Sequence, residues 1–191
     1  ATRIYSRWPF ITEVIGATKQ YDYIEFLAEY APFTQEELEN ISVAAEKCGM
    51  AAIIKVDMLH RFYVTQKAIA AGFEGVLLTD HRTADELRET LRYLRPDSPE
   101  DLGRFSFACR SFNYQDGSWG TVNIEEYKQL LRDTVVMLMV EKKETLENLD
   151  DILAVGGVDM VQWGPMDFSL SMGWDPKTKN AELKGLERKM I

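Results

Sequence analysis

Short apolar runs and longer amphipathic stretches alternate along the chain. The apolar runs are almost continuous in hydrophobicity, which is typical of strands buried on both faces of a sheet. They cover Tyr23–Leu27, Ala51–Val56, Gly75–Leu78, Phe105–Cys109, Val135–Val140 and Val158–Trp163, with a weaker run at Arg3–Tyr5. The pattern therefore predicts a series of short strands separated by helices.

The stretches between the apolar runs carry helix signals. Thr34 and Glu37 have the spacing of a capping box, in which a hydroxyl and a glutamate three residues later satisfy the free N–H groups of a first helical turn. Thr83 and Glu86 have the same spacing. Over Lys143–Val155, leucine and isoleucine recur at helical intervals with charges on the other face, so a helix is predicted there.

Strands that alternate with helices indicate a parallel sheet with helical crossovers. No glycine-rich phosphate loop follows the first strand, which argues against a dinucleotide-binding fold and favours a (β/α)8 TIM barrel in one domain, residues 1–191. A complete barrel has eight strands and usually about 250 residues. We therefore expect an incomplete barrel that lacks part of the β1–α1 region near Ser6–Pro9 and the last strand, after a helix at Ala181–Ile191.

Composition and charge narrow the possible partners and location. The 191 residues have a formal net charge of −9 and no dense basic patch, so nucleic-acid binding is not expected. No apolar run approaches the roughly 18 residues of a membrane helix, and no secretory signal opens the sequence. Two cysteines, Cys48 and Cys109, favour a reducing compartment. These features predict a cytoplasmic protein with no membrane partner.

Two carboxylates follow neighbouring strands of the predicted barrel. Glu141 ends the very apolar run Val135–Val140, and Asp167 follows the next run after a Gly-Pro turn. Function in such barrels lies at the carboxyl ends of the strands, where both side chains are expected on one rim. Hard divalent cations prefer such oxygen ligands. The alternative is that Glu141 opens a solvated helix and Asp167 only caps one.

Other polar residues follow the predicted strands. Lys55, which lies inside an apolar run, is predicted to be catalytic together with Glu29 and Tyr30. The alternative for Lys55 is an ion pair with a nearby carboxylate such as Glu29. Tyr30 follows Glu29 and is either a functional hydroxyl or a packing residue. Arg110 either binds an anionic part of a substrate or forms a structural salt bridge.

Two histidines are candidate bases, and other polar residues surround the better placed one. His81 follows the run Gly75–Leu78 together with Thr79 and Asp80, so it is expected at the rim. His60 is expected at the start of a helix, where a capping position is the more common explanation.

Several segments of the sequence match one family in order and spacing. Val140-Glu141 is followed by Gly156-Gly157-Val158-Asp159 and by Gly164-Pro165-Met166-Asp167-Phe168-Ser169, and earlier stretches match at Phe26–Pro32, Ile54–Val56, Ala68–Val76 and Thr83–Arg88. With these motifs the chain resembles the HpcH/HpaI aldolase and citrate lyase family. Members of this family are class II pyruvate aldolases with a (β/α)8 barrel, so the resemblance implies that activity and fold for this chain. It also implies a homo-oligomer, either a hexamer or another assembly built from dimers.

The resemblance also implies a site. Glu141 and Asp167 match the family's metal-ligand positions, and the metal is expected to be Mg²⁺, Mn²⁺ or Co²⁺. Backbone N–H groups around Gly164–Asp167 are expected to receive the carboxylate of a 2-oxo acid substrate, with Gly164, Pro165 and Met166 as substrate-binding residues. The metal then acts as a Lewis acid for the enolate formed when a 4-hydroxy-2-oxo acid is cleaved to pyruvate, or a related 2-oxo acid, and an aldehyde.

Two positions depart from the family pattern. Tyr30 stands where the family usually has histidine, and a tyrosine near its ordinary pKa of about 10 is a better proton donor than base at neutral pH. Lys55 stands where the family usually has arginine, which keeps the charge and loses the planar fork. Two alternatives therefore stay open: a malyl- or citryl-CoA-type lyase, for which no basic cluster is evident, and a non-catalytic protein that binds a metal or a 2-oxo acid.

Overall fold

One parallel sheet organises the chain in this computed structural model, which describes residues 1–107 and 123–190. The six strands of the sheet follow sequence order, and each pairs in parallel with the next. They are β1 Thr2–Ile4, β2 Tyr23–Leu27, β3 Ala51–Val56, β4 Gly75–Leu78, β5 Val135–Val140 and β6 Met160–Trp163. The strands β2 to β5 have the predicted bounds, because a short apolar run between two helices buries both of its faces in such a sheet.

Helices follow the strands and cover one face of the sheet. They are α1 Pro9–Ala17, α2 Gln35–Lys47, α3 Arg61–Ala71, α4 Ala84–Arg92, α5 Ile124–Arg132, α6 Lys143–Glu147, α7 Leu149–Leu153, α8 Pro165–Met172 and α9 Asn180–Met190. Both predicted capping boxes form, at Thr34 with Glu37 and at Thr83 with Glu86. Among the described helices, none is both long and apolar enough to cross a membrane.

The predicted strand Phe105–Cys109 is wrong in its described part. β4 pairs directly with β5, so this segment does not enter the sheet between them. Phe105 forms only an isolated bridge with Pro96. Its N–H donates to the Arg95 carbonyl and its own carbonyl accepts from the Asp97 N–H. A loop beside the end of α4 therefore satisfies the backbone of this buried residue, and no sheet is needed.

The helix predicted over Lys143–Val155 is divided in two at Asn148. This residue leaves helical geometry, with φ −101° and ψ 12°, and separates α6 from α7. Its side-chain amide donates to the Arg82 carbonyl at 2.9 Å. The apolar periodicity spans the break because both short helices bury the same face, so the pattern alone does not reveal it.

The two faces of the sheet carry separate apolar clusters. The larger cluster packs between the strands and the helices, and a smaller one on the inner face contains Ile53, Leu77 and Met137. Gln162 in β6 donates to the Glu25 carboxylate in β2 at 3.2 Å, although three strands separate them in the sheet. The sheet is therefore curled into a parallel half-barrel, consistent with an incomplete TIM-like barrel.

Candidate functional site

Lys55 is the only lysine in the described strands, and its side chain lies inside the half-barrel. Ile53, two residues earlier, belongs to the inner cluster, so the alternation of β3 turns Lys55 to the same face. The residue is 4% exposed. Its Nζ lies 2.5 Å from Glu29 Oε2 and donates to the Tyr30 hydroxyl oxygen at 3.2 Å. The structure thus brings together the three residues predicted to be catalytic.

The charge of Lys55 is retained in this environment. Burial lowers the pKa of Lys55, but the hydrogen bond to Glu29 and the charges of Glu141 and Glu29 outweigh it, so the pKa is raised overall. Burial also raises the pKa of Tyr30 to about 12, although the hydrogen bond from Lys55 opposes the change. At neutral pH, Lys55 is therefore an ammonium group and Tyr30 keeps its proton.

Glu141 is a buried carboxylate at the carboxyl end of β5. It is 1% exposed, and its Oε1 accepts the Asp80 N–H at 3.2 Å. Its Oε2 is buried and makes no hydrogen bond within the described part of the chain. Burial raises the pKa of Glu141 to about 7; Lys55 opposes the rise, and the nearby charges of Glu29 and Asp167 add to it. A further positive charge nearby would therefore favour the anionic form of Glu141.

Glu141 and its neighbours form a carboxylate cluster. Glu29, Asp80 and Glu141 each offer an oxygen within 4.8 Å of the others. Asp80 also pairs with Lys142 Nζ at 3.1 Å. Sequence reasoning placed Asp80 at the end of a strand without assigning it a function. The one feature of the sequence that could have identified Asp80 is its position just after β4. Many other polar residues also follow strands, so this position alone did not single it out.

In the β6–α8 turn, the backbone of Gly164 approaches Glu141 closely, and the first turn of α8 presents N–H groups that have no partner within the helix. Gly164 is required because a Cβ there would lie 2.7 Å from Glu141 Cβ. The Gly164 N–H donates to the Val140 carbonyl at 3.0 Å, and Pro165 has no N–H. The predicted carboxylate-binding amides are therefore narrowed to Met166 and Asp167, in the first turn of α8. Arg110, predicted to bind substrate, lies outside the described residues.

The two histidines have different environments. His81 is fully buried, with Nδ1 2.8 Å from the Thr79 carbonyl and Nε2 2.8 Å from the Thr90 hydroxyl. Burial lowers the pKa of His81 to about 4. Both ring nitrogens are engaged, so His81 is not a base that reaches a substrate. His60 is mostly exposed, and its Nδ1 lies 3.0 Å from Asp57 Oδ1.

A cavity opens beside the carboxylate cluster at the ends of β2 and β3. Its volume is about 650 Å³, and Glu29 is shared between the cavity and the cluster. Asp57, His60 and Tyr63 supply polar groups to its wall. Neither lysine nor arginine is among the residues described as lining it.

The donor set fits a hard divalent cation. The cluster offers carboxylate oxygens, the ligands that Mg²⁺ and Mn²⁺ prefer. Glu141 Oε2 is buried without a hydrogen-bond partner, and such an oxygen is costly unless something binds it. Asp167, also predicted as a ligand, does not belong to this cluster of Glu29, Asp80 and Glu141. It is half-buried in the first turn of α8, and its charge makes a small contribution to the raised pKa of Glu141.

The sequence profile of the HpcH/HpaI aldolase/citrate lyase family matches residues 14–191. An Escherichia coli protein named 2-keto-3-deoxy-L-rhamnonate aldolase is 29% identical over 171 residues, which are 89% of this chain. The chain spans only 61% of the length of that relative.

Solved structures show the same similarity. An HpcH/HpaI aldolase from Desulfitobacterium hafniense superposes with a TM-score of 0.80 at 27% identity, over 99% of this chain and 70% of that one. A family protein from Burkholderia cenocepacia has a TM-score of 0.83 at 19% identity, over 100% of this chain and 73% of its own. At that identity, the second similarity concerns the fold alone.

Proposed function

Because the chain belongs to the HpcH/HpaI aldolase/citrate lyase family, we propose that it is a divalent-metal-dependent carbon–carbon lyase of the class II aldolase type. It cleaves a 4-hydroxy-2-oxo acid to pyruvate, or a related 2-oxo acid, and an aldehyde. The main support is the buried Glu141 carboxylate with its unbonded oxygen inside a group of carboxylates. The half-barrel is, in this proposal, the larger part of a closed (β/α)8 barrel.

Glu141 and Asp167 hold the cation, which is Mg²⁺, Mn²⁺ or Co²⁺. A cation bound there supplies a Lewis acid for the negative charge that develops on the keto oxygen of a 2-oxo acid. The substrate carboxylate accepts hydrogen bonds from the free Met166 and Asp167 amides, which open α8 and lie at the positive end of its dipole.

Glu29 and Tyr30 transfer protons in the proposed reaction, and Lys55 supplies positive charge. Cleavage breaks the C3–C4 bond, removes the proton of the 4-hydroxyl group and returns a proton to C3. Glu29 accepts the first proton, and Tyr30, which keeps its own proton at neutral pH, donates the second. Lys55 contacts both residues and places a fixed positive charge between them.

The cavity beside Glu29 accommodates the part of the substrate that becomes the aldehyde. Two carboxylates, Glu29 and Asp57, line it, and His60 beside Asp57 is the one described basic residue in its wall. Because the described lining contains neither lysine nor arginine, a neutral hydroxylated chain is favoured over a phosphorylated or carboxylated one. The name of the Escherichia coli relative, which describes a 3-deoxy-2-oxo sugar acid, agrees with this choice. The same lining disfavours a coenzyme A thioester, because its phosphates lack partners.

A second candidate function is a non-catalytic protein that binds a metal and a 2-oxo acid. It is favoured by Tyr30, whose high pKa makes it a poor base. Decarboxylation of oxaloacetate separates the two candidates, because it yields the pyruvate enolate without removing a hydroxyl proton. A lyase site releases CO₂ from oxaloacetate in a metal-dependent manner, whereas a pure binder does not.

Calorimetric titration of the metal-stripped protein with Mn²⁺, without and with pyruvate, tests the proposal. We expect Mn²⁺ binding that pyruvate strengthens, and loss of both in Glu141→Gln and Asp167→Asn. Glu147→Gln is the matched control, because Glu147 is exposed and pairs with Lys143 on the surface of α6. Unchanged binding in the first two variants, or no binding by the wild type, contradicts the assignment.

The proposal includes a homo-oligomer. Large apolar side chains remain exposed on two helices: Trp8 and Phe10 at the start of α1, with their rings 4.9 Å apart, and Met166 and Leu170 on α8. Such surface is compatible with a subunit contact. Light scattering coupled to size-exclusion chromatography tests it, and a monomer at all concentrations contradicts it.

A further inference from the structure

We propose that Asp80 is a third carboxylate ligand of the candidate metal site and that His81 is the residue that positions it. This inference rests on the proposed function, because it requires the cation at Glu141. It goes further in assigning a ligand and a positioning residue in the segment that follows β4, on the side of β5 opposite to Asp167.

Asp80 occupies a backbone conformation that directs it to the cluster. Its φ of 56° lies in the left-handed region, which residues other than glycine rarely adopt. In this conformation its N–H donates to Glu141 Oε1 at 3.2 Å, and its carboxylate lies within 4.8 Å of ligand oxygens of Glu141 and Glu29. One residue therefore orients Glu141 through its backbone and adds an oxygen donor through its side chain.

His81 stabilises this conformation of Asp80 through hydrogen bonds. Its Nδ1 donates to the Thr79 carbonyl, two residues earlier, and so closes the turn around Asp80. A carbonyl only accepts, so Nδ1 carries the proton and Nε2 faces the Thr90 hydroxyl at 2.8 Å. The His81 carbonyl in turn accepts the Thr145 hydroxyl at 2.9 Å. The turn is thereby tied to α4 and to α6.

The competing explanation is that Asp80 serves only as the ion-pair partner of Lys142. Lys142 Nζ lies 3.1 Å from Asp80 Oδ1, yet this oxygen accepts no well-aligned hydrogen bond in the described residues. An independent observation favours a ligand: Glu141, buried and next to Asp80, has an oxygen with neither a hydrogen bond nor an ion pair among the described residues. A cation between the two carboxylates satisfies this oxygen, and the Lys142 ion pair leaves it unbonded.

Binding of Mn²⁺ alone, followed by the electron paramagnetic resonance signal of free Mn²⁺, tests the ligand assignment. We expect Asp80→Asn to weaken Mn²⁺ binding about 10- to 100-fold, as removal of metal-site partners commonly does. Asp85→Asn, at an exposed helix position, is the matched control and should bind as the wild type does. If Asp80→Asn also binds as the wild type does while Glu141→Gln does not, Asp80 is only an ion-pair partner and the inference is wrong.

Two variants of His81 test positioning against simple stability. Asn can keep the donor to the Thr79 carbonyl, whereas Gln can keep only the contact with the Thr90 hydroxyl. We expect His81→Asn to bind Mn²⁺ within about threefold of wild type and His81→Gln to bind about tenfold more weakly. Affinities that instead follow the urea midpoints of the two variants contradict positioning. If the wild type itself binds no Mn²⁺, the proposed function fails, which is a different result.

Discussion

Replacement of Glu141 by glutamine should stabilise the metal-free protein, by an amount that depends on pH. The pKa of this carboxyl group rises from an ordinary 4.5 to about 7 in the folded protein, chiefly because of burial. The folded state therefore binds the proton more tightly than the unfolded state does. The resulting stability is fully present below pH 4.5 and is lost as the pH rises through 7.

The size of the effect follows from these two pKa values. Ionisation of Glu141 costs the folded state about 1 kcal/mol at pH 5.5 and about 3 kcal/mol at pH 8. Glutamine has the shape of the protonated acid and does not ionise. Its oxygen can still accept the Asp80 N–H, and its amide can donate toward the carboxylates nearby. The free energy of unfolding of Glu141→Gln should exceed that of the wild type by these amounts.

Urea unfolding in EDTA at pH 5.5 and pH 8, followed by the fluorescence of the four tryptophans, measures the difference. Glu147→Gln should change the free energy of unfolding by less than about 0.5 kcal/mol at both pH values, because Glu147 is exposed. Saturating Mn²⁺ at pH 8 should stabilise the wild type and not Glu141→Gln. Equal stabilities of Glu141→Gln and wild type at both pH values would show that Glu141 is not a desolvated carboxylate.

Three further outcomes follow from the same structure. Gly164→Ala should weaken Mn²⁺ binding in a titration, since its Cβ would lie 2.7 Å from Glu141 Cβ, whereas Gly185→Ala, with nothing within 4 Å, should bind normally. Thr83→Ala should lower the free energy of unfolding by about 1 kcal/mol in urea, because it removes the N-cap of α4; no change would show that the cap contributes nothing. Phosphorylated aldehydes should give a higher KM than neutral hydroxyaldehydes in the condensation direction, because the described lining of the cavity beside Glu29 contains neither lysine nor arginine; equal KM values would exclude that cavity as the aldehyde site.

The strands were predictable because buried strands are apolar, and apolar runs can be recognised in the sequence. Each of β2 to β5 is a mostly apolar run bounded by helix signals, interrupted only by Glu25 in β2 and Lys55 in β3. The run at Phe105 has the same composition, yet its backbone hydrogen bonds are made locally with Arg95 and Asp97. Hydrophobicity indicates that such a residue is buried, but it does not indicate which backbone groups pair with it.

From the sequence, only the residues that end the strands could be assigned to the site. Strand ends placed Glu29, Lys55 and Glu141 together, because parallel strands of similar length end on one side. Asp80 could not be selected in this way, since its place in the cluster depends on a left-handed φ that only a buried hydrogen-bond network supports. Likewise, His81 was a plausible base from its position, and only its two hydrogen bonds show that it is structural.

The environment of Lys55 and Tyr30 bears on how far the chemistry of the family is retained. A lysine that is 4% exposed keeps its charge there because the hydrogen bond to Glu29 and the charges of Glu141 and Glu29 outweigh the effect of burial on its pKa. Burial, and to a smaller extent the charge of Glu29, oppose ionisation of Tyr30, because both raise its pKa. One arrangement thus keeps a cation, a proton donor and a desolvated carboxylate together. Steps that need positive charge or proton donation are therefore supported, whereas removal of the hydroxyl proton depends on Glu29.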